Sequence, residues 1–367
     1  MSGTSGLVSV IIPAFNAERH IAQTLESVLV QSYRRLEVIV VDDGSEDRTS
    51  DIVRNYAQND SRLKLLCQSN RGVAVARNRA IAESNGEFIA PIDADDLWCP
   101  SKVQRQVETL SKSPSIVGLV YVWSQRIDES NAVVGHCSGR HIEGSVYLPL
   151  LIGNFIGNSS APLIRRECFE AVGGYDDVFW RCNAQGCEDW DLYLRIAERY
   201  WFSLIPDCLV RYRKTAGGMS ADTEKMKASH RLLLNSVRKR HPSISSFVYR
   251  WSTSAYMLYV ANTCTRDAEP GKGLACLLKA AWLDPPMLLN MRLHRLFFRN
   301  VAHFLGIITG RKREVRFRGG ETASRDEPED AFGAPWTRIR DRKQARLLKL
   351  QRVLDLEVTA TPESRRL

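Results

Sequence analysis

The chain is predicted to fold as an α/β protein, a mostly parallel central sheet flanked by helices, with an α-helical C-terminal extension. Three observations predict this. Short apolar, β-branched runs alternate with stretches of helical periodicity from Leu7 to Lys112. The first run ends in proline, and the second and fourth stop abruptly at acids. Beyond residue 223 such runs disappear, and aromatic and basic residues interleave at helical spacing. Strands separated by helices call for parallel neighbours and right-handed crossovers.

The elements follow in order. Leu7–Pro13 (LVSVIIP) reads as a buried strand, and residues 17–32 set Ile21, Leu25, Val28 and Leu29 on one helical face. A second buried strand, Leu36–Val41, ends in Asp42-Asp43-Gly44-Ser45. A helix over Asp47–Gln58, a strand at Leu63–Leu66 and a helix around Val75–Glu83 come next. The fourth strand, Phe88–Ile92, ends in Asp93-Ala94-Asp95-Asp96. A helix at Lys102–Lys112 and a strand at Val117–Trp123 precede a mixed stretch to residue 222. Residues 311–330 have the composition of a linker, and Trp336–Leu356 has the pattern of a basic helix.

The length of 367 residues exceeds what one core usually carries, and 44% hydrophobic with 25% charged residues excludes wholesale disorder. No uncharged apolar run reaches the ~18 residues of a membrane span. The nine cysteines form no CxxC pair. With no secretory leader before the first strand, free thiols in a reducing cytoplasm are expected. The net charge of +9 is unevenly spread: residues 223–367 hold 28 Lys and Arg against 14 Asp and Glu, so the C-terminal third is the basic part. Such a segment suits an anionic membrane or an acidic polymer. No nucleic-acid-reading module is present.

Four polar constellations lie outside the strands. Asp42-Asp43 is either a capped turn or a hydrogen-bond acceptor for a ligand at the sheet edge. Asp93-x-Asp95-Asp96 puts three carboxylates within four residues, which repel unless donors or a cation neutralise them; hard oxygens at a strand end suit Mg²⁺ or Mn²⁺. In Asn70–Asn78 (NRGVAVARN), Arg71 and Arg77 are either donors to a pyrophosphate or surface charges. Glu188-Asp189-Trp190-Asp191 opens a helix, where acids either complement the dipole or supply a general base.

Taken in order, VSVIIPAFN, VVDDGS, NRGVAVARN, IDADD, GGYDD and EDWDLYLRI resemble the successive motifs of the family 2 glycosyltransferases over about residues 7–215. The resemblance implies a GT-A-type sheet. It also implies that Pro13, Ala14 and Asn16 lie under a nucleotide, that Asp43 holds the base and that Arg77 lies near ribose and phosphates. Asp93 and Asp95 would form the DxD pair, Asp93 toward the ribose and Asp95 on the metal. Asp189 would be the general base of a single, inverting displacement. The QxxRW motif of processive synthases is absent: Arg250-Trp251 lacks the glutamine.

The expected protein is therefore an inverting, non-processive hexosyltransferase working with Mg²⁺ or Mn²⁺. Its donor would be a nucleoside-diphosphate sugar, and its acceptor a glycan or lipid-linked hydroxyl in cell-surface polysaccharide biosynthesis. Residues 1–222 would form the catalytic domain. Residues 223–310 would be helical, facing the acceptor or the membrane, and residues 311–367 a basic, partly disordered linker and terminal helix. The location would be cytoplasmic, with peripheral contact to the inner face of the plasma membrane. The alternatives are a catalytically inactive sugar-nucleotide-binding relative and a sugar nucleotidyltransferase. The second lacks its GxGxR loop after strand one, and no GxGxxG supports an oxidoreductase.

Overall fold

The computed structural model describes residues 6–135, 137, 139–214, 222–308, 343, 347, 350 and 351. The expected linker and terminal helix fall almost wholly outside them. Two compact units account for the described residues. The first takes those up to Val146, then Phe155–Asn183 and Glu188 to Lys214. The second takes Tyr147–Asn154, Ala184–Cys187 and those from Asp222 on.

In the first unit, β1 (Val8–Ala14), β2 (Leu36–Asp42), β3 (Leu63–Cys67) and β4 (Phe88–Pro91) alternate with α1 (Ile21–Leu29), α2 (Thr49–Asn59) and α3 (Val73–Ala82). Every residue of β1 is buried, as a strand covered on both faces requires. After β4 come β5 (Leu97–Trp98), α4 (Lys102–Lys112) and β6 (Val117–Ile127). Then, past α5 (Tyr147–Ile152) of the second unit, follow β7 (Leu163–Arg165), α6 (Arg166–Val172), α7 (Val178–Arg181), α8 (Glu188–Ala197) and β8 (Trp201–Arg213). The eight strands lie in the order β3-β2-β1-β4-β7-β6-β8-β5. Pairs β1–β2, β1–β4, β2–β3 and β6–β8 are parallel, whereas β7 runs antiparallel to β4 and β6, and β5 antiparallel to β8. The sheet is mostly parallel, as expected.

Two boundaries differ from the sequence pattern for a local reason. Helix α1 starts at Ile21 rather than 17, because side chains of the β2–α2 loop take the preceding amides. Ala17 N–H donates to Thr49 Oγ1 (2.8 Å) and Glu18 N–H to Asp47 Oδ2 (3.0 Å). The long strand β8 was hidden in the mixed stretch, where the polar pair Pro206-Asp207 interrupts its apolar run.

One expectation is corrected. Cys137 and Cys208 are joined by a disulfide with Cα atoms 5.8 Å apart, so not every cysteine is a free thiol. The partners are 71 residues apart in sequence, a distance that no spacing pattern exposes. The loop after β6 closes over β8 and brings them together. The other seven cysteines are free.

The second unit contains α5, α9 (Thr223–Arg240), α10 (Ser246–Arg266), α11 (Pro270–Leu283), a 3₁₀ turn (Pro285–Leu289) and α12 (Met291–Ile308). Asp222 caps α9 by accepting from Lys225 N–H (3.0 Å). Helices α10, α11 and α12 interlock through Asn300, whose Nδ2 donates to Thr265 Oγ1 (2.6 Å). A Cβ on Gly273 would come within 2.3 Å of Asn300 Oδ1, so glycine permits that approach. His230 is buried, stacked on Tyr256 at 4.1 Å and paired with Ser252 Oγ at 3.2 Å. Burial drives its pKa down to about 3, so it is neutral at physiological pH. Among the described residues no helix is long and apolar enough to cross a membrane.

Candidate active site

The site is built at the carboxyl ends of β1, β2 and β4, where open α/β sheets bind ligands. The chain leaves β1 through Pro13 and Ala14 into Asn16, which takes a left-handed φ of 48°. Asn16 N–H donates to Ser45 Oγ (2.9 Å), and its Oδ1 accepts from Glu46 N–H (2.9 Å). Ala14 O accepts from Asp43 N–H (2.8 Å). These bonds clamp the turn after β1 onto the loop after β2. They leave Phe15 half exposed beside it.

The two acids ending β2 have separate jobs. Asp42 accepts from Ser45 N–H (2.9 Å) and from the Ser50 hydroxyl, which caps the turn into α2. Asp43 reaches the other way: its Oδ1 accepts from Gln68 Nε2 (2.7 Å) and Arg71 N–H (2.9 Å), and its Oδ2 from Gly72 N–H (2.8 Å). Both carboxylates are buried. Gly72, at φ 87°, lies so close under Trp180 that a Cβ would sit 2.6 Å from the indole.

Arg77 is not a surface charge: its side chain is buried, while that of Arg71 is exposed. Its Nη2 bonds Asp93 Oδ1 (2.5 Å) and Ser159 Oγ (2.9 Å), and its guanidinium lies 5.1 Å from the centre of the Tyr175 ring. Ser159 Oγ also donates to Asp93 Oδ2 (2.6 Å), closing a three-membered network. Asn78, one residue along, accepts from Tyr175 N–H and donates to Tyr175 O, both at 2.8 Å. That pair holds the Gly174-Tyr175 loop against α3. Among the described residues, Arg77 Nε and the Tyr175 hydroxyl are buried without a partner. Burial also raises the Tyr175 pKa, so the hydroxyl keeps its proton. Two unsatisfied donors in one place are costly unless a ligand accepts from them.

The acidic loop after β4 is held from outside. Asp96 is fully buried and accepts from Ser160 Oγ (2.6 Å) and Arg213 N–H (2.8 Å). Burial first, and Asp95 and Asp93 next, push its pKa well up. Arg213, at the end of β8, donates through Nε to Asp95 O (2.7 Å) and through its Nη atoms to Asp128 O (2.8 Å), Asn131 Oδ1 (2.7 Å) and Gln23 Oε1 (3.2 Å). Trp98 Nε1 donates to Ser160 O (2.9 Å). Sequence reasoning missed Ser159, Ser160 and Arg213, and took Tyr175 only as part of a GGYDD loop. The run Asn158-Ser159-Ser160 before the apolar β7 was a polar signal there to be found; Arg213 had none.

Asp95 differs from its neighbours. Among the described residues, no other residue donates a hydrogen bond to its carboxylate. Burial first, and the charge of Asp93 next, raise its pKa to about 6. A carboxylate that is desolvated, set beside a like charge and given no donor but its own backbone N–H fits a divalent cation. Among the described residues no cluster of three or more His, Cys, Asp or Glu side chains forms a complete cation cage. The protein therefore offers one carboxylate, which matches cations that take their remaining oxygens from phosphates and water.

Asp189 stands in the first turn of α8, with Oδ1 accepting from Trp190 N–H (2.7 Å). Burial raises its pKa to about 7, Arg77 works against that shift, and Glu188 adds to it. Arg77 and Asp93 both lie within electrostatic reach of Asp189. Asp93, Arg77 and Asp189 thus gather around one centre. Asp43 instead holds the Arg71-Gly72 amides that lead into α3.

Comparison with known proteins bears on these residues. Residues 9–173 match the family described as "Glycosyl transferase family 2", a segment ending short of Asp189. The uncharacterized glycosyltransferase alr2836 of Nostoc sp. is 34% identical over 186 residues, 49% of this chain and 57% of that protein. The putative teichuronic acid biosynthesis glycosyltransferase TuaG of Bacillus subtilis is 42% identical over 109 residues, 29% of this chain and 43% of that one. The UDP-Glc:alpha-D-GlcNAc-diphosphoundecaprenol beta-1,3-glucosyltransferase WfgD of Escherichia coli is 38% identical over 130 residues, 35% of this chain and 49% of that one. The alignments thus span about half the length of these relatives. Among solved structures, S. aureus TarS (chain 1–349) superposes with a TM-score of 0.54 at 16% identity, over 83% of this chain and 92% of that one. The mannosyltransferase PcManGT from Pyrobaculum calidifontis, in complex with GDP-Man and Mn²⁺, gives 0.52 at 21% identity, over 83% and 88%. Both likenesses concern the fold.

Proposed function

From the premise that this chain carries a family 2 glycosyltransferase domain of GT-A fold, we propose that it transfers one sugar from a nucleoside-diphosphate sugar to an acceptor hydroxyl with inversion. The observation that carries the reading is the convergence of Asp93 and Asp189 on Arg77, beside two buried donors without partners.

Each residue has a role in this proposal. The turn Pro13-Ala14-Asn16 and the Asp43-held loop form the floor for the nucleoside. Asp43 keeps a lone pair on Oδ2 for the N–H of a uracil- or thymine-type base, since a carboxylate accepts about four bonds. Arg77 Nε and the Tyr175 hydroxyl donate to oxygens of the donor's sugar or phosphates. Asp93, paired with Arg77, accepts from the ribose. Asp95 would hold Mg²⁺ or Mn²⁺, and the cation would supply positive charge against that developing on the departing diphosphate. Asp189 accepts the proton of the attacking hydroxyl. A pKa near 7 gives it both a populated base form and appreciable basicity. Attack from the face opposite the diphosphate inverts the anomeric carbon.

The named relatives include a glucosyltransferase whose acceptor is a diphosphoundecaprenol lipid. By analogy we assign this chain a glycan or lipid-linked acceptor, a part in cell-surface polysaccharide synthesis and peripheral contact with the cytoplasmic face of the membrane. In that compartment Cys137–Cys208 is exposed to reduction. Residues 1–222 are assigned the chemistry and 223–310 the acceptor or membrane.

The test is donor hydrolysis. Purified chain with Mn²⁺ is offered UDP-, GDP- and TDP-sugars, and released nucleoside diphosphate is measured beside Asp95→Ala. Release from one donor, lost in the variant, supports the reading. A chain that neither hydrolyses nor binds any donor overturns it.

A further inference from the structure

We propose that the α11–α12 hairpin of the second unit is a docking surface for an anionic lipid bilayer, inserted through Leu278, Trp282, Met291, Phe298 and Leu305. The inference makes specific the peripheral contact assigned above and rests on that contact, not on the transfer chemistry.

Helix α12 presents three faces. Leu293, Leu296 and Asn300 are buried, and Asn300 fixes that face against α10 through Thr265. Met291, Phe298 and Leu305 recur every seven residues, which puts them on one stripe of a helix. They are 47%, 67% and 55% exposed. Arg292, Arg295 and Arg299 lie at i, i+3 and i+7 on a third face and are exposed as well. On α11, Leu278 and Trp282 are one turn apart and 66% and 78% exposed. More than half of the exposed large apolar side chains among the described residues fall between Leu278 and Leu305. A water-soluble surface does not ordinarily gather apolar groups in this way.

Charge selects the occupant. Residues 272–318 hold ten Lys and Arg against two Asp and Glu. An apolar stripe flanked by arginines is the pattern of a helix lying in a lipid interface. There the rings enter the acyl boundary, the guanidinium groups stay at headgroup level, and each cation near an anionic surface adds attraction. A second copy of the same face would instead set two like-charged arginine rows side by side.

The test uses the full chain with vesicles of phosphatidylglycerol and phosphatidylcholine, and with phosphatidylcholine alone. Binding to the anionic vesicles is expected, weakened by salt. The triple variant Trp282→Ser/Phe298→Ser/Leu305→Ser is expected to bind at least about tenfold more weakly, from the loss of inserted apolar area. Trp282→Phe/Phe298→Leu keeps the apolar area and should bind as the parent does. Donor binding reports that each variant is folded. Undiminished binding by the triple variant would overturn the location and leave the peripheral contact standing. No binding to either vesicle would overturn both. Sedimentation of the parent as a dimer and of the triple variant as a monomer would assign the face to a second copy and overturn the proposal.

Discussion

The two units bury different kinds of polar group. In the first, the buried set includes the ionisable side chains Asp42, Asp43, Arg77, Asp96, Lys102, Glu188, Asp191 and Arg213. In the second, the described buried polar groups are Thr223, Ser229, His230, Ser252, Ser254, Thr263, Thr265, Asn300 and Gln351, with Asp284 the one acid. Neutral groups are satisfied cheaply by a nearby backbone carbonyl, as when Ser254 Oγ donates to Ala280 O (2.9 Å). Buried charges need arranged partners and cost far more to desolvate. Among those in the first unit, Asp43 and Arg77 lie in the candidate site, and Asp96 and Arg213 hold its acidic loop. Charge burial of that sort marks chemistry, and neutral burial marks packing.

Four predictions bear on this contrast. The largest effect is expected at Asp189. Asp189→Asn should lower transfer by about 10²–10⁴-fold, the usual worth of a general base, while donor binding changes no more than a few-fold. Lost donor binding in isothermal calorimetry would reassign the role. The same group sets the pH profile: kcat/KM should rise with pH through about 7, as the carboxyl loses its proton. Its raised pKa also means that ionisation destabilises the fold as pH climbs from the usual 3.8 to about 7. Asp189→Asn should therefore melt higher than the parent at pH 8 and equally at pH 3.

Chelation comes second. EDTA should reduce activity at least about a hundredfold, Mn²⁺ or Mg²⁺ should restore it in the parent, and Asp95→Ala should not recover. Full activity in chelator would remove the cation from the proposal. Third, Arg213→Ala should cost about 3 kcal/mol in urea unfolding, because it strips the buried anchor from the acidic loop. A loss under 1 kcal/mol would show that the loop is held without it. The smallest effect belongs to the neutral unit. Asn300→Ala should lose about 1 kcal/mol and leave donor hydrolysis unchanged. A large fall in hydrolysis would blur the distinction between the units.

Much of the first unit was legible in the chain itself. Buried parallel strands announce themselves as unbroken apolar runs, and an acid next to such a run has to lie at its end. Asp42-Asp43 and Asp93–Asp96 were therefore placed at the sheet's edge by local pattern alone. The same logic put Asp189 in a first helical turn. The resemblance of six ordered motifs supplied roles that pattern could not.

What distinguishes one acid from the next was decided only in three dimensions. Asp42 and Asp43 are identical neighbours, yet one caps a turn and the other binds a loop across 29 residues. Ser159 reaches Asp93 across 66 residues, Arg213 reaches Asp95 across 118, and Cys137 meets Cys208 across 71. Periodicity records which face a residue shows its own element. It carries nothing about which distant donor will meet it, because that follows from how strands are ordered in the sheet. Composition and spacing thus determined the class of fold and the positions of its acids. The tertiary structure decided which carboxylate is saturated and which is poised near neutrality, because desolvation and partner geometry exist only once the chain has packed.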